Sequence, residues 1–136
     1  MLDFNHIPLC GLASDAAHSR KHKRTEFRVV DIATGKELIY KDLGNATTNI
    51  GEYLGIVEAV KYVLFEIGEK TTIYSDSFTA ITWFNDKYTA SQRSNKDLLK
   101  GEMFLLATQE IIKDLVEVKY WDNKIWGEIP ADFGNK

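Results

Sequence analysis

Four acidic residues stand out by where they fall. Asp15 follows a short, mostly apolar run at 9–14, and Asp76 closes the β-branched run Thr71-Thr72-Ile73-Tyr74-Ser75. Glu52 falls at the start of a helical pattern, and Asp132 lies in Glu128-Ile129-Pro130-Ala131-Asp132. Clustered carboxylates repel one another and stay ionised together only when a cation compensates them. Hard divalent ions with oxygen shells do this, above all Mg²⁺, which keeps several waters and shares substrate phosphates. Two such ions about 4 Å apart can clamp the attacking and leaving oxygens of a phosphodiester. The chain holds 20 Asp and Glu, so acids alone do not define a site. Their setting has to.

That setting reads as a mixed α/β protein. Residues 9–14 suit a buried strand ended by Asp15. The charged stretch Arg20-Lys21-His22-Lys23-Arg24 follows, then a β-rich segment at 27–32. Ala33-Thr34-Gly35-Lys36 is a turn signal, and 37–43 returns as the partner strand. Tyr53, Leu54, Val57, Val60, Lys61 and Leu64 recur at spacings of three and four. This predicts an amphipathic helix to about Ile67, ended by Gly68, with Glu52 in its first turn. A strand at 71–76, a helix carrying Ala80, Ile81, Trp83 and Phe84, a helix over 98–112 and a strand at 115–121 complete the order β-β-β-α-β-α-α-β. The tail from Asp122 reads as loop with one helical turn. If the first and fourth strands lie adjacent and parallel, Asp15 and Asp76 emerge at one sheet edge, where α/β folds place their ligands. A helix packed on that sheet can aim Glu52 at the same spot. Carboxylates more than about 8 Å apart would defeat the assignment.

Composition bounds the function. The 136 residues suit a single domain, 1–136. With 17 basic and 20 acidic residues the net charge is −3, which excludes a nucleic-acid binder working by bulk charge alone. The single cysteine, Cys10, excludes an internal disulfide framework and a multi-thiolate zinc site. In its apolar run it is expected to be a small buried hydrophobe. No stretch approaches the roughly 18 apolar residues of a membrane span, and Met1-Leu2-Asp3-Phe4-Asn5-His6 lacks the features of a signal peptide. A soluble cytoplasmic protein is the expectation, with no membrane and no obligate protein partner.

Four local motifs occur in order: Leu12-Ala13-Ser14-Asp15-Ala16-Ala17-His18-Ser19, Thr48-Asn49-Ile50-Gly51-Glu52-Tyr53-Leu54, Ile73-Tyr74-Ser75-Asp76-Ser77 and Pro130-Ala131-Asp132. Asn95-Lys96-Asp97-Leu98 adds the start of a later helix. Together they resemble ribonuclease H of type 1, including the domains attached to reverse transcriptases, over nearly the whole chain. The resemblance implies a three-layer α/β fold: a mixed five-stranded sheet, antiparallel meander plus parallel strands, with helices on both faces. It implies a metal-dependent endonuclease that cleaves the RNA strand of RNA–DNA hybrids, leaving 5′-phosphate and 3′-hydroxyl ends. Two Mg²⁺ ions, for which Mn²⁺ can substitute, would be held by Asp15, Glu52, Asp76 and Asp132 as the catalytic acids. Asn49 matches a position touching the hybrid in its minor groove, flanked by Thr48. Ala16 and Ser77, each directly after an acid, are the remaining substrate-side candidates. Recognition there depends on 2′-hydroxyls and hybrid shape rather than base identity.

The chain departs from the family pattern at four places. Ala16 stands where glycine is usual. Phe78 replaces a glutamine that contacts RNA. No histidine occurs at 120–131, where Lys124 and Glu128 are the candidate substitutes, and four residues follow Asp132 where a closing helix is usual. Two rival readings therefore stand: a weak or inactive nucleic-acid-binding module of the same fold, and a nuclease of the same superfamily with another substrate. For single residues the bland alternatives are a solvated turn for Asp15 and Asp76, a helix-dipole partner for Glu52 and a solvated tail for Asp132. Arg20 to Arg24 suits either a phosphate-binding loop or a solvated hairpin end. Trp83, Trp121 and Trp126 suit packing better than base stacking, and His18 suits a mobile loop better than a ligand.

Overall fold

The computed structural model describes residues 7–90 and 95–133. The readings made for Met1 to His6 and for the last three residues lie outside them. Strands β1 (Leu12–Ser19), β2 (Arg24–Asp31) and β3 (Glu37–Gly44) form the antiparallel meander. Helix α1 (Thr48–Tyr62) leads through a π turn (Val63–Ile67) to β4 (Thr71–Ser75). Helices α2 (Phe78–Asp86) and α3 (Lys96–Leu115), strand β5 (Val116–Tyr120) and the single-turn α4 (Asn123–Trp126) follow. The five strands form one sheet in the order β3-β2-β1-β4-β5, with β4 parallel to both β1 and β5. The element order is the one the periodicity predicts.

Period-2 alternation along β1 sends its residues to two cores. Leu12 and Ala16 join Phe27 and Val29 under α1, α2 and α3, together with Ile50, Ile56, Val60, Trp83 and Leu105. Ala13 faces the other way, into a smaller core with Val30, Trp121, Ile129 and Ala131, against which Trp126 of α4 packs. The sheet therefore carries helix on both faces, although one layer is only a helical turn and the segment after it. Trp83 and Trp121 are core residues, as expected.

Local chemistry explains most boundaries. Thr47 caps α1 by accepting from the Ile50 N–H, and Gly68 closes the π turn at φ 74°, a conformation glycine adopts without a Cβ penalty. The Asn95 carboxamide oxygen accepts from the N–H groups of Asp97 and Leu98 at the start of α3. α1 differs from the amphipathic helix expected of it. Residues 50–57 are buried without a break, because the sheet covers one side and α2 and α3 the other.

Three expectations are corrected. β1 starts at Leu12 and runs through Asp15 to Ser19, so Cys10 lies before the strand and is exposed. The small residues at 13–17 carry little strand signal of their own, and pairing with β2 along all eight residues holds them extended. His18 is part of that strand rather than of a mobile loop, and its Nδ1 lies 2.6 Å from Thr25 Oγ1.

Tyr53 makes an edge-on contact with Trp83 in the larger core, with ring centroids 5.9 Å apart. Its buried hydroxyl has no hydrogen-bond partner among the described residues. Burial, with the charge of Glu102 second, pushes its ionisation well above the usual tyrosine range. A buried hydroxyl without a partner carries its desolvation cost uncompensated. Tyr53→Phe is expected to stabilise the fold by about 1 kcal/mol. A loss of that size in thermal unfolding would show that the hydroxyl is bonded.

Candidate metal centre

The parallel pairing of β1 with β4 covers Leu12↔Ile73, Ala13↔Tyr74 and Ser14↔Ser75, and there it stops. The next residue on each strand is an acid, Asp15 and Asp76. β1 can continue past this point because β2 remains its antiparallel partner to Ser19. Asp15 thus sits inside a strand, 1 % exposed, at the position where the sheet loses β4. This is the C-terminal edge of the parallel strands, the usual place for ligands in α/β sheets.

Glu52 arrives from α1. The helix starts at Thr48, so Glu52 lies in its second turn, not its first, and is 7 % exposed. The helix-dipole role considered for it therefore does not apply. Its reach depends on how closely α1 lies on the sheet. A Cβ on Gly51 would fall 3.0 Å from the Ala16 Cβ and 2.8 Å from Thr25 Cγ2, so a side chain here would force the helix or its neighbours to shift. Asp15, Glu52 and Asp76 each place a carboxylate oxygen within 4.8 Å of the others. That is well inside the limit set from the sequence.

All three donors are carboxylates, with no sulfur or imidazole among them, which suits a hard divalent cation. Two of the three are buried, where like charges are costliest. A cation of the Mg²⁺ or Mn²⁺ type fits this donor set. Asp132 is not in the 4.8 Å group. It follows Ile129 in a turn closed by the Asp132 N–H donating to the Ile129 carbonyl at 2.9 Å, and its own carbonyl accepts from Arg28.

Asn123 was not legible as a site residue. Its Nδ2 donates to Asp76 Oδ2 at 2.9 Å, and its Oδ1 accepts from the Ile129 N–H at 3.0 Å. One carboxamide thus ties the acid ending β4 to the segment that leads into Asp132. No motif marks it, because its two partners are 47 and 6 residues away.

No family model matches this sequence. Among solved structures, LC11-RNase H1 in complex with an RNA/DNA hybrid superposes with a TM-score of 0.57 at 15% identity, over 83% of this chain and 85% of that one. RNase H1 from the halophilic archaeon Halobacterium salinarum NRC-1 gives 0.54 at 15% identity, with the same coverage. The N-terminal RNase H domain of a Mycobacterium tuberculosis protein gives 0.52 at 14%, over 86% and 91%. The fold is that of ribonuclease H type 1. Among the described residues, no helix is long and apolar enough to cross a membrane.

On this ribonuclease H fold the substrate-side candidates separate. Thr48 and Asn49 are exposed on the first turn of α1. Ser77 caps α2, its hydroxyl accepting from the Ala80 N–H at 3.1 Å. Ala16 is 3 % exposed and its methyl packs toward α1 at Gly51. Period 2 puts it on the opposite face from its neighbour Asp15. Phe78 is exposed and stacks on Tyr120, with centroids 4.0 Å apart and planes 11° from parallel. An aromatic platform thus occupies the position where the family pattern has an amide.

Proposed function

We propose that this protein is a divalent-metal-dependent endonuclease that hydrolyses the RNA strand of RNA–DNA hybrids, leaving 5′-phosphate and 3′-hydroxyl ends. The observation that carries the reading is the convergence of Asp15, Glu52 and Asp76 within 4.8 Å at the edge of the parallel strands. In this reading Asp132 is the fourth acid, and two Mg²⁺ or Mn²⁺ ions are the cofactors. The bound ions would supply Lewis-acid charge at the attacking and leaving oxygens. The protein's own part is geometric. Asp15 and Asp76 hold the centre, Glu52 reaches it from α1, and Asn123 fixes the Asp76 carboxylate. Thr48 and Asn49 lie on an exposed turn suited to 2′-hydroxyls in a minor groove. A structural neighbour in complex with an RNA/DNA hybrid supports that substrate class.

Charge follows the same reading. Four of the 20 acids set against two divalent ions leave 16 acids facing 17 basic residues. Hybrid binding is therefore expected to depend on divalent metal as well as on salt. The test is cleavage of labelled RNA–DNA hybrid, double-stranded RNA and double-stranded DNA with Mg²⁺ or Mn²⁺, beside a hybrid-binding titration in chelator. Cleavage confined to the RNA of the hybrid, with binding weakened at least tenfold by chelator, supports the reading. No cleavage with either metal favours a binding module of the same fold. Cleavage of another substrate favours a different nuclease.

A further inference from the structure

We propose that Arg28 is a positioning residue that holds the Asp132 segment against the strand carrying Asp15. The proposal rests on the reading above only in making Asp132 one of the metal-binding acids. Arg28 is the direct cross-strand partner of Asp15 in the β1–β2 ladder. Its guanidinium reaches a segment more than 100 residues away in the chain. Nε donates to the Ala131 carbonyl at 2.8 Å, and Nη2 donates to the Asp132 carbonyl. Nη1 lies 3.7 Å from the Glu37 carboxylate, and the guanidinium sits 5.3 Å from the centroid of the Phe133 ring. All three guanidinium nitrogens and one face are thus committed.

The contacts are to backbone, and that decides what they do. Two donors set in a rigid planar fork fix both position and direction of two successive carbonyls. Ala131, buried in the smaller core, anchors the segment from below. Asn123 holds Ile129, and the Ile129 carbonyl accepts from the Asp132 N–H. Arg28 completes the restraint at the carbonyls of Ala131 and Asp132. The chain thereby links the acid of β1 to Asp132 through one cross-strand pair and one guanidinium. Lysine keeps the charge and the alkyl stem but presents a point charge without the fork. Arg28→Lys therefore separates directed hydrogen bonding from mere charge, and is the variant expected to keep the fold.

Amide hydrogen exchange and Mn²⁺ titration on the free protein test this without relying on turnover. In Arg28→Lys, exchange at the Asp132 and Phe133 amides is expected to quicken about tenfold, with the β1–β2 amides unchanged. Arg28→Ala should do the same or more. One Mn²⁺ site should weaken by a similar factor, and kcat should fall while KM stays. Exchange at those amides as slow as in the wild type overturns the clamp, whether or not the protein cleaves a hybrid. Asp132→Asn with wild-type Mn²⁺ binding overturns the role of Asp132 as a ligand, and with it the metal half of the proposal. Faster exchange with Mn²⁺ binding unaltered in Arg28→Lys likewise overturns that half.

Discussion

Asp76→Asn is expected to abolish hybrid cleavage, by about a thousandfold or more in kcat, while raising the melting temperature of the metal-free protein. The two effects share one cause. Asp76 supplies one of three carboxylates whose oxygens lie within 4.8 Å. At such a separation, two unit charges near a protein surface repel by a few kcal/mol. Asparagine removes one charge and keeps the oxygen that accepts from Asn123 Nδ2. The local hydrogen bonding therefore survives, and the fold gains about 1–2 kcal/mol, or several degrees in melting temperature. The same change replaces a hard anionic oxygen with a neutral amide in the donor set. A thousandfold loss corresponds to about 4 kcal/mol of transition-state stabilisation. Added Mn²⁺ should then stabilise the wild type, by about 2.7 kcal/mol at a hundred times its dissociation constant, and the variant much less. Calorimetry with and without metal, beside the cleavage assay, reads all three quantities. An inactive variant that melts lower would point to simple misfolding. A variant that keeps full activity would remove Asp76 from the site.

The acids were legible because each sits at a boundary that local pattern reveals. Asp76 ends a β-branched run and Glu52 opens a helical period, so strand and helix ends could be placed to within a few residues. The strand end that points to Asp15 is only part of its setting. Its strand does not stop there, and what stops is the pairing with β4. That is a property of two segments more than 50 residues apart, which no local window carries. The sequence pattern also places Glu52 one turn too early in α1. Several residues at 45–49 can cap a helix, and only the structure selects Thr47. Arg28 and Asn123 left no signal at all. Each works by reaching backbone or a carboxylate distant in sequence, and a lone arginine in a strand or a lone asparagine after one is ordinary. Pattern reading thus finds the groups whose chemistry is unusual, and misses those whose only unusual feature is whom they touch.

The same distinction predicts a second large effect, at a residue with no functional group. Gly51→Ala is expected to lower activity about a hundredfold while costing at most about 2 kcal/mol of stability. A Cβ at Gly51 meets Thr25 Cγ2 at 2.8 Å and Ala16 Cβ at 3.0 Å. Neither neighbour can give way cheaply. Ala16 is fixed by its strand, and the Thr25 hydroxyl is held at 2.6 Å by both His18 and the Ala46 carbonyl. The helix has to move instead. Overpacking of this kind costs about 1–3 kcal/mol, offset by about 1 kcal/mol from replacing glycine inside a helix. Function has no such offset, because Glu52 is the next residue and Ala16 follows Asp15. Lifting α1 there widens the Glu52–Asp15 distance directly, and misplacement by about 1 Å can cost a hundredfold in rate. Gly55→Ala is the control one turn along. Its Cβ would meet Ser14 Oγ, but that atom is the end of a side chain and can rotate away. Gly55→Ala should therefore retain more activity than Gly51→Ala. Equal losses at both positions would mean that α1 yields as a rigid body. Full activity in Gly51→Ala would mean that the approach of α1 to β1 does not set the reach of Glu52.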